Sequence, residues 1–214
     1  MKKDKKTIKV YVVGPSTGYS RFIKNRELVN NMEDAQVVLF TGGEDINPRL
    51  YNKPAHHSVY YSDRRDKMEV AAFEKIKPDQ IAVGVCRGVQ LFCALYGGIL
   101  VQDCDRHCGC GRHTITDGTR EFTVTSIHHQ MQYPYDLPNG DYEVLFWSEG
   151  RSTYYKGDGI DAEKIREFGE PEVTVYHRPG MPLCFGVQGH PEMMSEDDPF
   201  VEWVNEKILE YVKG

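Results

Sequence analysis

Gly84-Val85-Cys86-Arg87-Gly88 places a cysteine between glycines two residues away on either side, the pattern in this chain best suited to covalent chemistry. A short apolar run, Ile81 to Val85, precedes it and reads as a buried strand. A helical stretch, roughly Val89 to Tyr96, follows. Nucleophiles are presented on such tight strand-to-helix turns. Side chains two positions to either side would collide with the backbone there, and glycine removes the collision. The helix N-terminus turns free N–H groups and partial positive charge toward the sulfur. That predicts a thiol pKa below the free value of about 8.5. Taken as a type, a cysteine after an apolar strand is more often a small core residue; the paired glycines set Cys86 apart.

A cysteine nucleophile needs a base, and the base needs an orienting group. Gly186-Val187-Gln188-Gly189-His190-Pro191-Glu192 supplies candidates for both. Pro191 lacks an N–H and pushes the preceding residue toward extended geometry, which stops the strand and directs His190. Glu192 can hold one imidazole nitrogen and leave the other for the sulfur, a triad in the chain order Cys…His…Glu. The competing reading is a surface His-Pro turn with a solvated glutamate. Acyl transfer also needs donors for an oxyanion. The Arg87 backbone N–H is one candidate, and the Thr41-Gly42-Gly43-Glu44-Asp45 loop offers another at Gly43.

These residues lie far apart in sequence, so a fold must gather them. Strand-like runs at Ile8–Val13 and Gln36–Phe40 alternate with helical spacing over Arg21–Met32 and Asp63–Ile76, the latter with Asp63 and Asp66 as capping candidates. This alternation predicts an α/β fold with a mostly parallel sheet and helices on both faces. Glu121–Ser126, Tyr142–Trp147, Glu172–His177 and Leu183–Gln188 are strand-like, predicting a β-rich second half that adds antiparallel strands at the sheet edge. Phe200, Val204, Ile208 and Val212 recur every four residues along a final core-facing helix. Ligands bind at the carboxyl ends of strands in such sheets, so Gly43, Cys86 and His190 are expected on one rim.

The 214 residues fit a single domain, 1–214, with no break in composition to mark a linker. A net charge of −6 argues against nucleic acid as the main partner. No run approaches a membrane span, and the basic start lacks the apolar stretch of a signal peptide. Six cysteines without an export signal predict reduced thiols and a cytoplasmic location.

Together, G-V-C-R-G-V-Q, V-Q-G-H-P-E and T-G-G-E-D-I-N-P-R-L-Y resemble the class I glutamine amidotransferase superfamily, and within it the gamma-glutamyl hydrolase branch. Arg65-Asp66 with Glu69, Leu95 to Asp103, and Ser126-Ile-His-His-Gln130 resemble further segments of that branch, in its order. The resemblance implies a flavodoxin-like sheet, a Cys86–His190–Glu192 triad and oxyanion donors at Gly43 and Arg87. It also implies that Gln90 contacts the α-amino or α-carboxylate end of a glutamyl substrate, with Ser126 and His128 lining the same pocket. The implied reaction is hydrolysis of a small gamma-glutamyl amine or peptide through a glutamyl thioester, with no metal or organic cofactor. The alternatives are a glutaminase subunit delivering ammonia to a partner synthase, and an inactive relative used as a binding protein.

The chain departs from that pattern in three places. The first 40 residues are compact, with an early stop at Gly14-Pro15, which implies loss of a substrate-binding loop found in longer relatives. Gly189 stands where relatives often carry an aromatic, which implies a more open pocket wall. Cys104-Asp-Arg-His107-Cys108-Gly-Cys110-Gly-Arg-His113 gathers soft ligands, yet its spacing matches no common zinc finger. The expectation is a polar loop near the site mouth and well under one equivalent of zinc in purified protein.

Overall fold

The computed structural model describes residues 7–109 and 111–213; the basic start and Cys110 lie outside the described residues. The first half runs β1 (Ile8–Val13), β2 (Arg26–Leu28), β3 (Val37–Phe40), α1 (Asp63–Phe73), β4 (Ile81–Val85) and α2 (Arg87–Leu95). It continues with β5 (Ile99–Val101), β6 (Asp103–Cys104), β7 (Arg112–Thr116), β8 (Glu121–Thr125) and β9 (Met131–Tyr133). The last part comprises β10 (Tyr142–Ser148), β11 (Tyr155–Lys156), α3 (Ala162–Phe168), β12 (Glu170–Tyr176), β13 (Leu183–Val187) and α4 (Pro199–Lys213).

A nine-stranded sheet in the order β2-β1-β3-β4-β13-β12-β10-β7-β8 forms the frame. Pairing is parallel from β2 across to β13 and antiparallel from β13 to β8. Strand β3 is buried along its whole length, as a parallel strand covered on both faces must be. One face carries α4, whose Phe200, Val201, Val204 and Ile208 join Val10, Leu39, Val83 and Phe185. The other carries α1 and α2, where Phe73, Val89 and Phe92 meet Val38, Phe40 and Ala82. Each such side chain contributes about 1.5–3 kcal/mol by leaving water.

Three expectations need correction. Arg21–Met32 is not a helix: a 3-10 turn at Thr17–Phe22 leads into edge strand β2. Only Phe22 and Ile23 of that stretch are buried hydrophobics, Leu28 is exposed and Asn25 takes a positive φ of 54°. A helix there would have no apolar stripe to bury, and that sheet face is filled by α4, whose Asn205 accepts from Lys24 N. Second, α1 is capped by Ser62 and not by Asp63 or Asp66, and it ends at Phe73; Asp66 turns inward to Arg87 instead. Third, β13 is not an added antiparallel edge strand. It pairs parallel with β4 in the sheet interior, from Leu183 opposite Ile81 to Val187 opposite Val85.

Candidate active site

Parallel β3, β4 and β13 are neighbours, so their carboxyl ends share one rim. Gly43, Cys86 and His190 each follow one of these ends. Cys86 has φ 51° and ψ −103°, a strained backbone for a non-glycine residue, directly before α2. Space around it explains both flanking glycines. A Cβ on Gly84 would lie 2.6 Å from the Gly88 carbonyl carbon and from Phe92, and one on Gly88 would lie 2.5 Å from the Phe40 carbonyl oxygen. The Phe40 oxygen belongs to a buried strand and cannot yield. Gly88→Ala is therefore expected to destabilise the fold by about 1–3 kcal/mol, read from chemical denaturation; an unchanged midpoint would show that the elbow can relax.

His190 and Glu192 are joined by a 2.7 Å hydrogen bond between Nδ1 and Oε1, with both side chains less than a tenth exposed. Thr125 anchors the histidine backbone: its Oγ1 accepts from His190 N at 2.7 Å and donates to His190 O at 3.2 Å. Burial alone would pull the His190 pKa down. Hydrogen bonds to Cys86 and to Glu192 outweigh burial and raise it to about 10. A cationic imidazole beside the sulfur can protonate a departing amine. Once the sulfur is acylated, the contribution from Cys86 disappears and the same ring becomes a better base. Cys86→Ala is thus expected to move the His190 titration down from about 10, as followed by NMR of the imidazole carbons; an unmoved midpoint would mean the sulfur does not support the charge.

The loop after β3 is held from below. Arg65 Nη2 donates to Thr41 O and Thr41 Oγ1 at 3.1 Å and to Gly42 O at 2.7 Å, while its Nε bonds Glu69 at 2.8 Å. Gly43 has φ 142°, and a Cβ there would strike the Arg65 guanidinium at 2.0 Å. Arg87 is 1% exposed and pairs with Asp66 and Glu69. Burial, with repulsion from Arg65, lowers its pKa to about 10 despite the opposing pull of Asp66. Two helices and the candidate oxyanion loop are thereby tied into one buried network.

Gln90, on the first turn of α2, donates to Gln130 O at 2.9 Å and to Gln188 Oε1 at 3.4 Å. Gln188 in turn reaches Cys86 Sγ at 3.7 Å. Sequence reasoning assigned Gln188 no role, although it lies inside the V-Q-G-H-P-E motif. Tyr19 was missed as well: its ring sits 6.1 Å from that of His190, and its hydroxyl crowds Gly42. Nothing in its local sequence distinguishes it from the other tyrosines.

Ser126 and His128 are engaged by groups around His107 and Gln130. Ser126 is fully buried and donates to His107 O at 2.9 Å. His128 Nδ1 bonds Gln130 O at 2.9 Å, and its ring lies 4.4 Å from that of His107. Its link to Gln90 runs through the shared Gln130 carbonyl. The more open wall expected at Gly189 is also absent. A Cβ there would lie 2.9 Å from Thr125 O, so β8 occupies the space an aromatic would need. His129 instead bridges Asp45 at 3.0 Å and Asp103 at 3.4 Å, and the hydrogen bond to Asp45 raises its pKa. Among the described residues, no helix is long and apolar enough to cross a membrane.

The family described as Peptidase C26 matches residues 21–135. That span includes Gly43, Cys86, Arg87 and Gln90 and stops short of His190 and Glu192. The glutamine amidotransferase-like protein YvdE homolog of Lactococcus lactis subsp. cremoris is 34% identical over 82 residues, 37% of this chain and 44% of that protein. The glutamine amidotransferase-like protein YvdE of Lactococcus lactis subsp. lactis is 32% identical over 130 residues, 50% of this chain and 55% of that protein. The chain thus spans about half the length of these relatives. A glutamine amidotransferase from Thermotoga maritima superposes with a TM-score of 0.53 at 12% identity, covering 98% of this chain and 97% of that one. At that identity the likeness speaks to the fold.

Proposed function

The chain belongs to the Peptidase C26 family, and from that premise we propose that it is a cysteine hydrolase cleaving the gamma-glutamyl amide bond of a small gamma-glutamyl amine or peptide. One observation carries the reading: Cys86, strained on its elbow, is next to a His190 whose Nδ1 is held by Glu192 at 2.7 Å. In the proposed cycle, Cys86 Sγ attacks the side-chain amide carbon. The oxyanion is received by the N–H groups of Gly43 and Arg87. His190 protonates the amine as the C–N bond breaks, leaving a glutamyl thioester. Water, deprotonated by His190, then attacks the thioester carbonyl, releasing glutamate and the thiol. Gln90 and Gln188, beside the sulfur, are assigned to hold the glutamyl end.

A panel of gamma-glutamyl amides together with free glutamine, scored by glutamate release, tests this. Turnover of a gamma-glutamyl amine by the isolated chain is expected. Relatives named glutamine amidotransferase-like support a second reading, a glutaminase subunit that feeds ammonia to a synthase. Release from glutamine alone, or only when a second protein is added, would favour that reading and overturn the first.

A further inference from the structure

Behind the strands that carry the candidate site lies a buried cluster that the proposed reaction does not use. His107, His113, His128, Glu170 and Glu172 are each at most 6% exposed. Two carboxylates without solvent need compensating positive charge, since burying an unpaired charge is prohibitive. The described ion pairs of Glu170 and Glu172 are all to histidine.

The two glutamates are not equivalent. Glu170 is saturated, accepting from Ser148 Oγ and Ser152 N at 2.7 Å, Tyr155 Oη at 2.8 Å and His107 Nε2 at 3.0 Å. Glu172 meets His113 Nε2 at 2.5 Å through Oε1, while its buried Oε2 has no partner. With the His107 Nε2 proton directed at Glu170, the Nδ1 lone pair faces Glu172 Oε1 at 4.0 Å and Ser126 Oγ at 3.1 Å. Ser126 spends its proton on the His107 carbonyl. Two lone pairs then meet at Nδ1 unless a proton or a metal ion lies between them.

We propose that His107, His113 and Glu172 bind one divalent transition-metal ion, zinc foremost, in a structural site that ties β7 and the preceding loop to β12. One ligand atom from each of the three residues lies within 4.8 Å of the others. A tetrahedral ion with bonds of about 2.0–2.1 Å holds its ligand atoms roughly 3.4 Å apart. The separations of 2.5 and 4.0 Å bracket that value, so small side-chain shifts suffice. Two imidazoles and one carboxylate form a donor set that zinc accepts. Glu170 on the far nitrogen of His107 is the outer carboxylate that orients a metal-bound histidine. Ser126 Oγ or water completes the shell. His113 also borders an open cleft of about 830 Å³ with Trp147, Ser148 and Arg151, which gives the ion a path from solvent.

One equivalent of zinc would overturn the expectation of well under one equivalent drawn from the spacing of the cysteine-rich loop. Cys104 packs among Val101, Met131, Tyr133 and Ile165 and is not a ligand. The loop contributes two histidines, and the third ligand comes from a distant strand.

The test uses Cys86→Ala as background, so that a zinc–thiolate contact at the other site cannot contribute. After equilibrium dialysis against zinc chloride and removal of loose ions, elemental analysis should find about one equivalent. His113→Gln and Glu172→Gln in that background should each weaken zinc at least tenfold, with circular dichroism confirming the fold. Cys104→Ser and Cys108→Ser should retain it. Cobalt titration of the unsubstituted background should give the visible d–d bands of a nitrogen–oxygen tetrahedral site and no thiolate charge-transfer band, a readout that needs no ligand variant to fold. Substoichiometric zinc would overturn the proposal. Zinc that survives both ligand variants, or leaves with the cysteines, would overturn it as well.

Discussion

Cys86→Ala is expected to lower gamma-glutamyl hydrolysis by about 10⁴-fold, His190→Ala by a similar factor, and the double variant by no more than the worse single one. The shared loss follows from the chemistry. Sulfur and imidazole act as one unit, in which each raises the reactivity of the other, so removing either removes both contributions. Glu192→Gln should cost less, because an amide oxygen still orients Nδ1 but no longer stabilises the imidazolium. Initial rates of glutamate release with a cleaved gamma-glutamyl amide check all four proteins. Additive losses in the double variant would mean that Cys86 and His190 act separately, and the triad reading would fail. A Cys86→Ala protein as active as the parent would dispose of the thioester.

Arg87→Met is expected to cost about 3–5 kcal/mol of stability, since it strands Asp66 without its counter-charge and leaves Glu69 paired with Arg65 alone. For a chain of this size that is a fall in Tm on the order of 10 °C. Arg87, Asp66 and Glu69 are at most 3% exposed, so water cannot take over the solvation. Burial already pushes the Asp66 carboxyl above its usual range, and Arg87 opposes that push. Removing Arg87 lets the Asp66 pKa rise further, so that carboxyl takes up a proton at mildly acidic pH in the folded variant. The deficit in Tm should then be smaller at pH 5 than at pH 8. A deficit independent of pH would point to lost packing and away from stranded charge. The backbone N–H of residue 87 remains in the variant, so activity per folded molecule should fall less than stability.

Much of the frame was legible from apolar runs. The strands read at Ile8–Val13, Ile81–Val85 and Tyr142–Trp147 form as expected, Ile81–Val85 as an unbroken apolar stretch buried throughout and the other two as apolar-rich runs carrying an exposed Lys9 or Glu143. The glycines around Cys86 were legible for a similar reason, as they answer a collision within one short turn. Arg21–Met32 misled because helical spacing says nothing about which element wins a sheet face. The distant α4 packs there with a stronger stripe, and the nearer segment pairs with β1. Gly189 misled because its neighbour, Thr125 O, comes from a strand far away in sequence.

By itself, the sequence determined the local devices: a strained cysteine turn, a histidine stopped by proline with a glutamate two residues on, and an alternation that folds as an α/β sheet. These rest on contacts within a few residues, which local composition encodes. Only the tertiary structure decided what those devices face. Pairing β13 with β4 set His190 beside Cys86. The Arg65–Glu69–Arg87 network fixed the loop of Gly43. Long-range packing gathered Ser126 and His128 with two histidines and two glutamates in a buried cluster. Buried charge and long-range pairing are settled by the sum of the whole core, and no single stretch of sequence carries that sum.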